Sequence, residues 1–396
     1  MNYINYIILT LCLFFISCNK QKIQDANITS VSIDLEKCKD LKLENFVEKM
    51  EIIPLETDSF CLLDQYDKII YYEDIETYLI IDKQQIVSLF NKEGKFIANS
   101  SRCRGKGPEE YEILVDAIYN PYSKQIEVLN PYGTIYSFDM NFKFQNKRIL
   151  DNKEVHTFSK FYPLNENEYI LTPTTIGSKD AILCFCDYKR QEISAITSFE
   201  KDFICGLTMN YNPFFKENDI LCYTPLCLNY SIYQIDTIHK DLIPSLQLSL
   251  GNQTITKKMI SHLGDISNKK TDRKNLERTI NMMGEINSFL LNSEYPIPVI
   301  KLINDSYIYL YMIRNKNRET VIYNRKNKRS FYQTNKHKKR MNFCIHINNN
   351  VLTSIIQPYE IDKYVDENLL NEEEKQKLLS INEDNNPIII KYWIKP

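Results

Sequence analysis

The sequence lacks the short signatures on which metal, phosphate and hydrolase chemistry most often rest. Its eleven cysteines include no Cys-x-x-Cys pair. Its five histidines (His156, His239, His262, His337 and His346) show neither metal-ligand spacing nor a His-Glu-x-x-His motif. No Gly-Lys-Ser/Thr is present, so no phosphate loop is encoded, and no Gly-x-Ser-x-Gly elbow marks a serine hydrolase. The formal net charge is only −2, which gives no bulk attraction to nucleic acid. Glycine is scarce, at nine residues, and there is one tryptophan. These absences leave no catalytic residue, metal or cofactor to assign.

What is abundant is tyrosine and phenylalanine, 27 and 19 residues. With many Ile and Val they favour strands, because such side chains pack well on a pleated surface. A chain of 396 residues can bury a large core. The N-terminus is different. Ile4 to Ile16 is almost wholly apolar, too short for a comfortable membrane span and suited to a signal peptide over residues 1–17. It ends Phe15-Ile16-Ser17-Cys18, which resembles the lipobox of bacterial lipoproteins, where cleavage leaves a lipidated cysteine. An ordinary secretory cleavage site is the alternative. On the lipoprotein reading Cys18 carries the lipid, residues 18–28 are a tether, and the membrane is one partner. The residues after Cys18 are basic (Lys20, Lys22), which favours a periplasm-facing anchor in the cell envelope over surface export. With Cys12 and Cys18 set aside, the odd number of remaining cysteines argues against a tidy disulfide framework.

The rest of the chain repeats. At Leu89-Phe90-Asn91-Lys92-Glu93-Gly94-Lys95-Phe96 an apolar strand end runs into Asn, a polar turn follows, and Lys stands four residues on. The frame returns at Asp139 with Lys143, Asp187 with Gln191, Asp236 with Lys240, and Asn324 with Lys328. The anchors lie 48, 48, 49 and 88 residues apart, and about four short strands fall in each unit. Such a period marks a propeller blade; a pair of β-sandwiches or a β-solenoid are the rivals. The long interval exceeds one period by 39 residues, the length of Thr254 to Asn292, where apolar residues recur at helical spacing (Ile255, Met259, Leu263; then Ile280, Met283, Ile286, Phe289, Leu290). A helical insertion over 254–292, between blades 4 and 5, is expected. Asn371, three residues before Glu374, predicts a short helix near the C-terminus. Without these two helical stretches, the length from Phe46 onward holds six repeats of 48. The expected fold is therefore all-β: residues 29–396 form a six-bladed β-propeller. Its C-terminal strand, Pro387 to Ile394, and an N-terminal strand share the closing blade.

Arg102-Cys103-Arg104-Gly105-Lys106-Gly107-Pro108-Glu109-Glu110-Tyr111 follows the first hairpin. It resembles the Gly-x-Gly-Pro-Gly-Glu-Tyr turn of the six-bladed β-propeller lipoproteins common in Gram-negative gut anaerobes, a group related in fold to NHL-repeat and TolB-like propellers. Glu109 stands where that family usually has Gly. Ile53-Pro54-Leu55-Glu56-Thr57 before the first blade and the Asn386-Pro387 start of the last apolar run are similar too. The resemblance implies a six-bladed ring in the cell envelope and no established enzyme activity.

As a ligand site, the candidate residues are Arg102, Arg104 and Lys106, which suit an anion, with Tyr111 beside them. Gly105 and Gly107 permit unusual backbone angles. The competing reading is an inter-blade connection held by Arg–Glu contacts around a packed Tyr111. The basic run Lys336-His337-Lys338-Lys339-Arg340 reads as a solvated loop. The helical insertion is expected to border the binding face. The function that follows is a binding or scaffolding module for an envelope protein, peptide or glycan. A hydrolase or lyase working on a glycan or small molecule in the central channel is the alternative; fold alone does not choose between them.

Overall fold

A computed structural model describes residues 28–63, 65–151, 155, 157–174, 181–198, 212–225, 228–260 and 273–395. The signal segment, Cys18, His156 and His262 lie outside these residues. The chain begins with β1 (Thr29–Ser32), β2 (Lys39–Asp40) and β3 (Val47–Pro54). Blade 1 follows as β4 (Tyr66–Tyr72), β5 (Thr77–Asp82), β6 (Val87–Asn91) and β7 (Phe96–Asn99). Blade 2 is β8 (Asp116–Asn120), β9 (Gln125–Leu129), β10 (Ile135–Phe138) and β11 (Phe144–Arg148). Blade 3 is β12 (Phe158–Pro163), β13 (Glu168–Pro173), β14 (Ala181–Asp187) and β15 (Glu192–Ser198). Blade 4 is β16 (Phe214–Glu217), β17 (Ile220–Tyr223), β18 (Ser231–Asp236) and β19 (Asp241–Ser249). Blade 5 is β20 (Ile297–Ile303), β21 (Tyr307–Arg314), β22 (Asn317–Asn324) and β23 (Arg329–Gln333). Blade 6 takes β24 (Cys344–Asn348), β25 (Val351–Ile356) and β26 (Ile388–Ile394) from the C-terminus and β3 from the N-terminus, with Ile390 opposite Ile52.

The expected six-bladed ring and its shared closing blade are thus present. The first strands meet around the axis: β8 packs on β12, β20 on β24, and β24 on β4. Apolar layers fill the spaces between blades. Leu79 and Leu89 of blade 1 meet Val128 and Phe138 of blade 2. Ile118 and Leu129 meet Phe161 and Leu171, and Ile170 and Phe185 meet Phe214 and Tyr223. The seven described cysteines form no disulfide with one another, and Cys184 and Cys186 share one of these layers.

The recurring hairpin joins the third and fourth strands of blades 1 to 5. Its anchor works through its side chain, because an Asn or Asp oxygen can accept backbone N–H groups in place of a backbone turn. Asn91 Oδ1 accepts from Glu93 N (3.1 Å) and Lys95 N (2.8 Å). Asp139 Oδ1 accepts from Asn141 N and Lys143 N, both at 2.9 Å. At Asp187, Asp236 and Asn324 the second donor comes one residue earlier. The left-handed residue shifts the other way. It stands third after the anchor in blades 1 and 2 (Gly94, φ +80°; Phe142, φ +58°) and fourth in blades 3 to 5 (Gln191, +60°; Lys240, +56°; Lys328, +56°). One sequence frame therefore covers two turn geometries.

The N-terminal segment departs from a simple ring. Thr29 to Leu35 is read from its alternation as one strand, but only Thr29–Ser32 pairs, running parallel along the outer edge of blade 4 with Val31 beside Leu248. The chain then places β2 parallel to β23 of blade 5, Lys39 beside Phe331. Leu41, Leu43 and Phe46 lie in the apolar cluster that joins blades 4, 5, 6 and 1.

The insertion lies between β19 and β20, as its spacing predicts. Its described parts are helices Lys257–Ile260 and Arg273–Asn292. Ile286 and Leu290 are buried against the ring, and the carbonyls of Leu291 and Ser293 accept from Lys316 N and Asn315 N of the β21–β22 turn. The C-terminal helix, Glu372–Leu379, is capped by Asn371, whose Oδ1 accepts from Glu374 N at 2.8 Å. Glu374 is buried and accepts the backbone N–H of Ile52 in β3, so the helix also holds the closing strand.

Candidate functional site

Antiparallel blades sort their connections onto two faces. First-to-second and third-to-fourth turns share one face. Second-to-third turns and the links between blades share the other. Every first strand carries a titratable side chain: Lys68, Asp116, Lys160, Lys216, Lys301 and His346. On the side of blades 1 to 3 these groups meet. Lys68 Nζ is paired with Asp116 Oδ1 and donates to Ala117 O at 3.0 Å. Lys160 Nζ lies 3.6 Å from the same carboxylate, whose Oδ2 accepts from Phe161 N at 3.2 Å. The Lys68 and Asp116 side chains are 3% and 1% exposed. Burial pushes the Lys68 ammonium down to about 8, partly opposed by Asp116.

On the side of blades 4, 5, 6 and 1 the first strands leave a cavity of about 590 Å³. That lies within the roughly 300–1,000 Å³ usual for small-ligand sites. Tyr71 and Tyr72 of β4 and Phe215 of β16 supply aromatic surface, with Phe214 buried behind them. Asn304, Asn348 and Asn349 supply amides from the turns. Three of the charged groups, Glu73, His346 and Lys301, are committed to partners. His346 Nε2 donates to Glu73 Oε1 at 3.0 Å, and this bond holds the Glu73 carboxyl below the usual carboxylate range. The His346 ring also meets Tyr71 edge-on at 6.1 Å, while Lys391 Nζ lies 5.4 Å over the same tyrosine ring. Lys301 Nζ donates to Asn229 O at 2.7 Å.

The Arg102–Tyr111 stretch lies elsewhere, in the link from β7 to β8 on the opposite face. Tyr111 is fully buried; its hydroxyl pairs with Ser100 Oγ at 2.6 Å and donates to Gln85 O at 2.9 Å, and burial pushes it up to about 12. Arg102 and Arg104 are exposed and make no ion pair among the described residues; Lys106 is 84% exposed and 3.5 Å from Glu112. None of them lines that cavity or the second one, between blades 3 and 4. Gly105 and Gly107 serve packing and not the unusual angles expected, since neither has positive φ. Glu110 folds back to accept Gly107 N at 2.8 Å, and a Cβ on Gly105 would stand 2.0 Å from its carboxylate. The contact expected of arginine is made by backbone.

The helical insertion also lies on the linking face, away from the turns that carry the cavity's amides, because the fourth-to-first connections run there. The basic run near Lys336 forms part of the link from β23 to β24. His337 Nε2 reaches Asp40 at 2.7 Å and the Arg340 guanidinium sits 5.6 Å over Tyr364. No group of three metal ligands occurs among the described residues, and no described helix is long and apolar enough to cross a membrane. Sequence reasoning missed Tyr71, Glu73, Lys216 and His346. The signal was partial: once the hairpins phase the blades, each first strand is seen to carry at least one titratable residue, but not which of them face one cavity.

Six antiparallel blades closed by strands from both chain ends, around a ligand-sized channel cavity, define a six-bladed β-propeller. The chain belongs to the family described as Domain of unknown function (DUF4934), which matches residues 28–392. No curated protein matches it. Among solved structures it is similar to a Bacteroides fragilis protein provisionally described as exported, with 16% identity, TM-score 0.67, and coverage of 93% of this chain and 100% of that one. That likeness shows the fold. The Neurospora crassa Pan2 WD40 domain aligns at 7% identity over 75% of this chain and 74% of that one, with a TM-score of 0.36, too low to argue from.

Proposed function

We propose that this protein is an exported, lipid-anchored binding module of the cell envelope, facing the periplasm, that holds a glycan in its channel cavity. The observation that carries this reading is the lining. The rings of Tyr71 and Phe215 stand beside the amides of Asn348 and Asn349. A sugar ring presents an apolar face to an aromatic one, and the amides of Asn348 and Asn349 offer donors and acceptors to neighbouring hydroxyls, whereas that of Asn304 accepts from Ser306 N and Tyr307 N and donates to Asn349 O. The Bacteroides fragilis relative's description supports export, and Cys18 at the end of the apolar segment supports the anchor. The hydrolase or lyase reading has one observation behind it, the Glu73–His346 pair, an arrangement that can orient a general base. Binding is preferred because aromatic rings and amides line the cavity beside its charged groups, Asp74, Asp305, Lys216 and Lys301, and no second carboxylate is paired with His346 among the described residues.

The test is calorimetric titration of the soluble chain starting at Asn19 with xylotetraose, mannotetraose, cellotetraose and the N-acetylglucosamine tetramer. At least one is expected to bind without being cleaved, and Phe215→Ala to weaken it about tenfold, a change of about 1.4 kcal/mol. No binding by any of the four sinks the glycan reading; turnover favours the enzyme. For the anchor, Cys18→Ala is expected to release the protein from membranes, and unchanged retention counts against lipidation.

A further inference from the structure

A second cavity, of about 460 Å³, lies between blades 3 and 4. Tyr122, Tyr162, Asn165, Ser194 and Lys216 are among the groups that line it. It adjoins the channel cavity through blade 4. Lys216 lines both. Tyr162 of the second cavity packs on Phe214 of the first, with ring centroids 5.5 Å apart. The wall between them is the β16–β17 hairpin, whose turn is only two residues long. Asn218 (φ +49°) faces the channel cavity and Asp219 (φ +64°) faces the second. Consecutive positive φ angles make this the tight turn that adds least height between two strands.

The cations around both cavities are already engaged, with one exception. Lys301 donates to Asn229 O, and His346 to Glu73. Lys240 donates to Ser194 Oγ at 2.7 Å and lies 3.7 Å from Glu168. Lys216 is exposed and has no ion-pair partner among the described residues, yet it stands at the junction. Carboxylates lie on either side of it, Asp219 in one cavity and Asp305 in the other. A ligand charged at every unit meets these carboxylates; a ligand with one acidic unit at the junction meets only Lys216.

We infer that the two cavities form one site for an oligosaccharide bearing a single acidic sugar, which crosses the β16–β17 hairpin and sets its carboxylate on Lys216. This rests on the glycan reading above. Aromatic rings in both cavities, Tyr122 and Tyr162 on one side and Phe215 and Tyr71 on the other, give consecutive sugar rings a surface on each side of the crossing.

The experiment titrates the soluble chain with aldotetraouronic acid, which carries one glucuronic acid on xylotriose, and with xylotetraose, glucuronic acid and a tetrameric oligogalacturonide. Aldotetraouronic acid is expected to bind at least about tenfold tighter than each of the others. Lys216→Met is expected to abolish its advantage over xylotetraose, and because the residue is exposed its loss leaves the fold intact. Tyr122→Ala, which touches only the second cavity, is expected to weaken the tetrasaccharides alone. Equal affinity for the acidic and neutral tetrasaccharides, or a Lys216→Met effect shared by both, overturns this inference and leaves the glycan reading standing. If no saccharide binds, both fall.

Discussion

Asp116 holds three blades through one carboxylate. Lys68 reaches it from blade 1, Lys160 and the Phe161 backbone from blade 3, and Asp116 itself belongs to blade 2. Removing one member of a buried ion cluster leaves the others uncompensated, which costs about 3–5 kcal/mol. Asp116→Ala is expected to destabilise the protein by that amount in urea denaturation; a loss below 1 kcal/mol refutes the assignment. Lys68 adds a pH dependence. Its folded value of about 8 lies below the ordinary 10.5, so between these values the unfolded chain holds a proton that the folded chain has released. Stability from this group therefore rises with pH across the window. Wild type measured against Lys68→Met is expected to gain stability from pH 8 to pH 10, and a constant difference contradicts it. None of this was legible in the sequence. Asp116 and Lys160 stand 44 residues apart, and only the ring brings them together.

At the scale of elements, the sequence was most readable where chemistry is local. The Asx hairpins, the insertion and the Asn371 cap each depend on residues within one turn of one another, and each was placed correctly. The Arg102–Tyr111 link was less readable because its residue types fit two structures. A glycine that permits odd angles and a glycine that makes room for a carboxylate look alike in sequence. The hairpin glycine separates these cases. Gly94 has φ +80°, and a Cβ there would stand 2.4 Å from Pro54 O in the closing strand, whereas Gly251 has φ +61° with open space around it. Gly251→Ala is expected to cost about 1–2 kcal/mol, the left-handed penalty alone. Gly94→Ala should cost clearly more, since backbone must move as well. Thermal denaturation of the two variants checks the order, and equal losses contradict the close approach to β3.

The whole molecule is closed by its N-terminal segment in three places, on blades 4, 5 and 6. Alternation at Thr29 to Leu35 revealed a strand but not its neighbour, because parallel pairing on an outer edge leaves no mark on the strand's own pattern. The three contacts are unequal. A chain starting at Leu43 loses β1 and β2 and keeps the ring closed; it is expected to unfold cooperatively at a lower midpoint. A chain starting at Leu55 also loses β3 and bares β26 as an open edge. It is expected to lose the cooperative transition or to aggregate. Identical behaviour of the two truncations argues against β3 as the clasp.

The direction of β1 has a mechanical consequence. It runs parallel to β19, so the chain enters at the face that carries the turns and the two cavities, and heads towards the linking face. Tension arriving from upstream of Thr29 loads β1 along its length, in shear, so that its bonds to β19 share the force and do not open one by one. The same tension draws the cavity face, and not the helical face, towards whatever holds the chain.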